Sequence, residues 1–323
     1  MVSRQADRPT GNQLIDSMGR YFLKRLWHGV VVILGVTVLV FVVTRLVGDP
    51  VKFMLPLEAT AEQRAEFEKQ LGLDRPIGVQ FIDFLDGLTR LDFGDSLWQR
   101  RPAMQIVFEK LPLTLELAVL GIGLAFLLSI PLGIIAALRP GGASDRSTVF
   151  LSLLGLSVPQ FWLGLLLIVV FAVQLGWLPT SGIDTPAHLI MPTITMALPA
   201  LARLVMIVRS SMIDELNQQY VKTCFAKGLA FYRVVGVHAL RNASLPVVTL
   251  CGWELIRAIA GYSVVVETVF AWPGLGLTAI QAIERDDLIL LQAIVFTVAI
   301  LVVLINILLD ITYKVIDPRL KLT

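Results

Sequence analysis

Residues 220–246 read YVKTCFAKGLAFYRVVGVHALRNASLP. The run carries Lys222, Lys227, Arg233, His238 and Arg241, no acid, and a break at Gly228. Long apolar blocks flank it on both sides. A basic, helix-forming segment placed between such blocks lies at one face of a membrane. Charges elsewhere in the chain decide which face.

The blocks at 26–44, 117–138, 147–183, 185–202 and 288–309 contain no Asp, Glu, Lys or Arg. About 20 mostly apolar residues are enough for a helix to cross the hydrocarbon core. The chain of 323 residues is 56% hydrophobic and 16% charged, whereas a soluble domain has about a quarter of its residues charged. Buried helices of a soluble core seldom reach these lengths without a charge. A sixth span, 247–270, is mostly apolar but holds Glu254 and Arg257. The expectation is an all-α membrane protein with six transmembrane helices. The first block follows a polar tail of residues 1–27 and is long enough to span, so it reads as an uncleaved anchor.

Short loops rich in Lys and Arg stay in the cytoplasm. Arg4, Arg8, Arg20, Lys24 and Arg25 precede span 1, and Arg139 and Arg146 follow span 2. Arg209 and the basic residues of the opening stretch follow span 4, and Lys314, Arg319 and Lys321 end the chain. The loop after span 3 has no basic residue and the loop after span 5 has only Arg285. Both termini and the opening stretch are therefore expected inside. The long loop after span 1 carries eight basic residues, but long loops cross largely regardless of charge. Within it, Thr60-Ala61-Glu62-Gln63 fits a capping box. Phe81, Phe84, Leu85, Leu88 and Leu91 then recur at helical spacing. Two short helices result, either a ledge for a partner or a packed cap.

Pro131, Pro159, Pro192, Pro199 and Pro246 fall inside the spans. Each removes a helix hydrogen bond, and such breaks suit helices that bend or line a cavity. Catalytic motifs are missing: Gly-Lys never occurs, so there is no phosphate loop, and there is no HExxH. The three histidines pair with no serine or cysteine in a hydrolase motif. Cys224 and Cys251 show neither metal-ligand spacing nor a disulfide framework. No cofactor and no bound metal are expected. An ion-coupled carrier would place ionisable groups mid-span. Here only Glu254 and Arg257 do so, while Arg45 and Arg203 are expected near span ends, where they snorkel.

Several motifs in order carry a family resemblance. Ala226-Lys227-Gly228-Leu229, His238-Ala239-Leu240-Arg241-Asn242-Ala243 and Leu245-Pro246-Val247-Val248-Thr249 resemble the cytoplasmic loop of ABC importer permeases of the dipeptide, oligopeptide and nickel branch. Leu46-Val47-Gly48-Asp49-Pro50, Leu71-Gly72-Leu73-Asp74-Arg75-Pro76, Asp92-Phe93-Gly94-Asp95-Ser96, Gly176-Trp177-Leu178-Pro179, Arg209-Ser210-Ser211-Met212 and Asp317-Pro318-Arg319 are similar to the family's other signatures, as is the specific run 266–276, VETVFAWPGLG. Within this family the first permease of the dipeptide system is the nearest pattern. Val47 stands for the usual proline. Lys222, Thr223 and Cys224 stand where the general importer motif begins Glu-Ala-Ala, so the usual acid is missing.

The resemblance implies a type I ABC importer permease fold in the bacterial inner membrane. It implies a cytoplasmic tail 1–27, span 1 at 28–47, an extracytoplasmic region 48–112, a five-helix core 113–313 with a coupling loop at 210–245, and a tail 314–323. It also implies partners: a second homologous permease, two ATPase subunits, an extracytoplasmic substrate-binding protein and membrane lipid, with no nucleic acid. The cargo would be short peptides, or alternatively nickel chelates or glutathione; the rival class is a self-contained carrier or channel. ATP hydrolysis would belong to the partners.

Three groups of residues follow as candidate sites. Helices at 214–227 and 230–242, broken at Gly228, would bring Phe225, Leu229, Phe231 and Tyr232 into an apolar knob rimmed by Lys222, Lys227 and Arg233. That knob would fill an ATPase groove, with Thr223, Cys224, Ala226, His238, Arg241, Asn242 and Pro246 in the same coupling segment. A basic helix on anionic headgroups is the plain alternative. Glu254 and Arg257, three apart, would pair on one helix and either contact the two charged ends of a peptide or only neutralise each other. Glu267, Trp272, Pro273, Gly274 and Gly276 form a turn at the outer end of span 5. It would be a gate, a dock for the binding protein, or part of an interfacial aromatic belt.

Overall fold

The computed structural model describes residues 11–47, 60, 62, 63, 66, 69 and 74–316. The motifs at 48–50, 71–73 and 317–319 lie outside the described residues. Every regular element among these residues is helical, with one isolated bridge between Asp95 and Pro102.

Helix α1 (Gly11–Val47) is followed by α2 (Ile77–Thr89) and the long α3 (Ala103–Ala137). Next come α4 (Ala143–Ser157), α5 (Gln160–Gln174), α6 (Ile190–Leu216) and α7 (Gln219–Ala226). The chain closes with α8 (Phe231–Val269), α9 (Leu275–Glu284) and α10 (Leu288–Ile316). Among the described residues five helices are long and apolar enough to cross a membrane, or six if the bent α4–α5 pair counts as one span. Helix α3 packs along α6 at the centre. Helices α4, α5 and α8 also lean on α6, and α1 and α10 flank the bundle.

The block expected as one span at 147–183 is instead α4 and α5, bent by 97°. Pro159 is the cause. A proline pushes the residue before it out of the helical region, and Val158 is extended (φ −81°, ψ 121°). Helix α1 starts at Gly11, inside the stretch read as a tail, and α3 starts at Ala103, ten residues before the expected core boundary at 113. The largest difference concerns the coupling loop. Helix α8 runs from Phe231 through 39 residues without interruption. At 1.5 Å per residue it is ~58 Å long, nearly twice the hydrocarbon thickness. Only residues 217–230 remain between α6 and α8.

The capping box exists: the Thr60 N–H donates to Gln63 Oε1 (2.9 Å) and the Gln63 N–H to Thr60 Oγ1 (3.3 Å). Helix α2 is packed down by aromatic rings. Phe41 of α1 meets Phe81 and Phe84 at 5.1 and 5.5 Å, and Phe93 bridges Phe84 to Phe296 of α10. The Asp92–Ser96 turn is tied beneath α2. The Ser96 hydroxyl and the Trp98 N–H (3.1 Å) donate to Asp287, whose other oxygen caps α10 at Leu290 N–H (3.0 Å). At the opposite end Arg25 forms an ion pair with the buried Asp310 (2.6 Å), clasping α1 to α10. Arg209 pairs with Asp145, which also accepts the Gly141 N–H (2.7 Å) and fixes the α3–α4 turn to α6.

Candidate functional site

Helix α7 and its exit form the first candidate. Val221 is buried beneath α7. The Tyr220 hydroxyl donates to Glu215 (2.6 Å), and burial together with this bond pushes its pKa up to about 12. Helix α7 then stops in a complete Schellman closure. The Gly228 N–H donates to the Phe225 carbonyl (2.9 Å) and the Leu229 N–H to the Cys224 carbonyl (3.2 Å). This motif needs a left-handed residue, and Gly228 has φ +76°. A Cβ placed there would meet nothing within 4 Å, so the glycine is required by the backbone and not by neighbours in this chain.

That turn brings Phe225 and Phe231 together, stacked with centroids 6.4 Å apart. Both are exposed, Tyr232 is 72% exposed, and Leu229 is partly covered. Lys222, Lys227 and Arg233 surround them on exposed positions, as do Thr223 and Ala226, with Cys224 half-buried. His238, Arg241, Asn242 and Pro246 are exposed but lie farther along α8, beyond the turn. The knob expected from the sequence is present. Its second helix, however, is the first part of a spanning helix.

The second candidate ties α6 to α8. Arg203 of α6 donates to both oxygens of Glu254 on α8, at 2.7 and 2.9 Å, and to the Tyr262 hydroxyl at 2.8 Å. Arg257 reaches the same carboxylate at 3.0 Å. Glu254 is fully buried. Arg203 lies near the middle of the helical stretch Pro186–Leu216 and is committed to α8. The apolar run ends at Ala202 because Arg203 itself interrupts it. An acid buried in one span needs a cation from another, and that signal in Glu254 points to Arg203.

The third candidate, the turn after α8, faces inward. Glu267 is fully buried, accepting from Thr114 Oγ1 of α3 (2.6 Å) and from the Leu277 N–H (3.0 Å). Thr114 in turn accepts the Leu275 N–H (2.7 Å). The Trp272 indole N–H donates to the Leu113 carbonyl (3.1 Å), and Trp272 is 2% exposed. It therefore does not stand in an interfacial belt. A Cβ on Gly274 would strike the Glu267 carboxyl and Thr114, and one on Gly276 would come within 2.7 Å of the Val264 backbone. The 266–276 motif is a clasp joining α8 and α9 to α3. Pro273 alone of the five is partly open. It borders a cleft of about 520 Å³ with Trp98, Arg101, Glu109, Lys110 and Gln281. We predict that Thr114→Val, which leaves a buried N–H and a buried carboxylate each short of a partner, lowers stability by about 1–3 kcal/mol, read as earlier loss of monodisperse protein on heating in detergent.

Residues 129–322 match the family described as binding-protein-dependent transport system inner membrane component, and residues 18–118 match its N-terminal region. The oligopeptide transport system permease protein AppB of Bacillus subtilis is 37% identical, covering 94% of this chain and 100% of its own length. The dipeptide transport system permease protein DppB of Escherichia coli K12 is 35% identical, covering 94% and 99%. The glutathione transport system permease protein GsiC of Pectobacterium atrosepticum is 38% identical, covering 94% and 99%. Among solved structures, the inward-facing MetNI methionine ABC transporter shares the fold, with TM-score 0.55 at 21% identity over 66% of this chain and 97% of that one.

Proposed function

Because the chain belongs to the family of binding-protein-dependent transport system inner membrane components, we propose that it is a permease subunit of an ATP-driven ABC importer of short peptides. It is a multi-pass protein of the bacterial inner membrane. Both termini and residues 217–230 face the cytoplasm, in keeping with the basic loops on that side. A second homologous permease completes the pathway, with lipid around the pair. Two ATPase subunits sit below, and an extracytoplasmic binding protein delivers cargo near the cleft beside Pro273. The chain itself performs no chemistry. It moves between inward- and outward-open forms as the ATPases close and reopen, a rigid-body transition.

The observation that carries this reading is the exposed Phe225–Phe231 stack at the Gly228 turn. Exposed aromatic side chains held by a rigid cap suit a partner groove. The turn is also fixed to α6 and to the unbroken α8, so a push on it is delivered straight into the spans. The glutathione permease relative supports a second cargo, itself a small peptide.

Reconstitution in liposomes tests the proposal. Uptake of di- to pentapeptides is expected only with the second permease, the ATPases, the binding protein and ATP together. Uptake by this chain alone, driven by an ion gradient, would overturn it in favour of a self-contained carrier.

A further inference from the structure

The network around Glu254 is cationic. Arg203 and Arg257 bring two positive charges, Glu254 one negative, and Tyr262 none. The Glu254 carboxylate is consumed within the chain: both oxygens accept from Arg203, one also accepts from Arg257, and no part is exposed. It has no room for the amino end of a peptide, so the two-ended contact expected from the sequence is not available. Arg257 is different. A guanidinium has five N–H donors, and among the described residues Arg257 uses one of them. Its side chain is 49% exposed.

A half-exposed charge within an apolar spanning helix faces water or protein, because lipid would penalise it. Trp253, Arg257, Ala260 and Gly261 share that exposed face of α8. The widened π turn Ala258–Tyr262 begins at the next residue. A Cβ on Gly261 would meet nothing within 4 Å, which leaves open space one turn from the guanidinium. We infer that Arg257 is a carboxylate-binding residue of the translocation pathway, holding the C-terminal carboxylate of the peptide cargo. The guanidinium fork matches a carboxylate in two parallel hydrogen bonds. The C-terminal group is the carboxylate that every unblocked linear peptide carries. Glu254 and Arg203 act as positioning residues: they fix the arginine without neutralising the excess charge. This inference rests on the peptide-import reading.

The test uses the full assembly in proteoliposomes, with trialanine and trialanine amide at equal occupancy of the binding protein. The readout is the ratio of their ATP-driven uptake rates, so selectivity of the binding protein cancels between variants. Arg257→Gln is expected to lower the trialanine rate about tenfold relative to the amide, as loss of one well-placed charged contact does. Arg257→Lys, which keeps the cation but loses the two-point fork, is expected to fall between wild type and the glutamine variant, with a loss of about threefold. An unchanged ratio in the glutamine variant, or equal loss for both peptides, overturns the inference. Failure of the glutamine variant to assemble, with normal assembly and an unchanged ratio for the lysine variant, assigns Arg257 to the partner permease and also overturns it. If the wild-type assembly takes up neither peptide, the peptide reading itself fails, an outcome separate from any change in ratio.

Discussion

Gly228→Trp is expected to reduce ATP-driven uptake by about tenfold or more, equivalent to at least ~1.4 kcal/mol of lost docking, while the amount of inserted protein stays near wild type. Two effects combine at this position. A side chain in the left-handed region costs roughly 1–2 kcal/mol, and Gly228 has φ +76°. That strain is local to the cap of α7 and is shared by Gly228→Ala. The second effect is bulk. Among the described residues beyond its two chain neighbours, no atom lies within 4 Å of the Cβ position, so an indole there is expected to project outward. The difference between alanine and tryptophan therefore isolates the partner groove. Uptake assays on both variants, with ATPase stimulation by the binding protein as a second readout, check it. Wild-type uptake by the tryptophan variant would remove the knob from the coupling mechanism.

Arg203→Leu is expected to cost about 3–5 kcal/mol, the usual penalty for stripping one partner from a buried ion pair. It removes both hydrogen bonds to Glu254 from α6 and orphans the Tyr262 hydroxyl. Arg257 alone, half-exposed, is left to hold a fully buried carboxylate. Thermal unfolding in detergent would show a large drop in midpoint. The double variant Arg203→Leu with Glu254→Leu should recover part of the loss, because no buried acid remains to be satisfied. The resulting cycle would give a strong coupling between the two sites. Exchanging the intrahelical pair, Glu254→Arg with Arg257→Glu, is expected to be as damaging as Arg203→Leu. It keeps the i,i+3 attraction but sets a guanidinium against Arg203. An unaltered midpoint in Arg203→Leu would show that the network is dispensable.

The residues differ in how readily the sequence exposed them. The Gly228 turn was readable because its cause is local: glycine, flanking helical segments and short-range hydrogen bonds all lie within a few residues. The Thr60–Gln63 cap was readable for the same reason. The Glu254–Arg257 pair was visible as i,i+3 spacing, but its dominant partner was hidden, since Arg203 lies 51 residues away. Likewise Glu267 and Trp272 looked like an exposed turn until Thr114 and Leu113, more than 150 residues earlier, closed over them. Arg209 and Arg25 entered the sequence reading only through the loop charge pattern, yet each is committed to a buried aspartate.

By itself, the sequence determined that this is a bundle of apolar, membrane-spanning helices, because lipid makes each span satisfy its own backbone. Tertiary structure alone decided the unbroken length of α8 and the pairing of buried charges. Apolar runs specify that a helix is buried but not against which neighbour, and a buried charge is paid for only by a partner that packing brings from elsewhere in the chain.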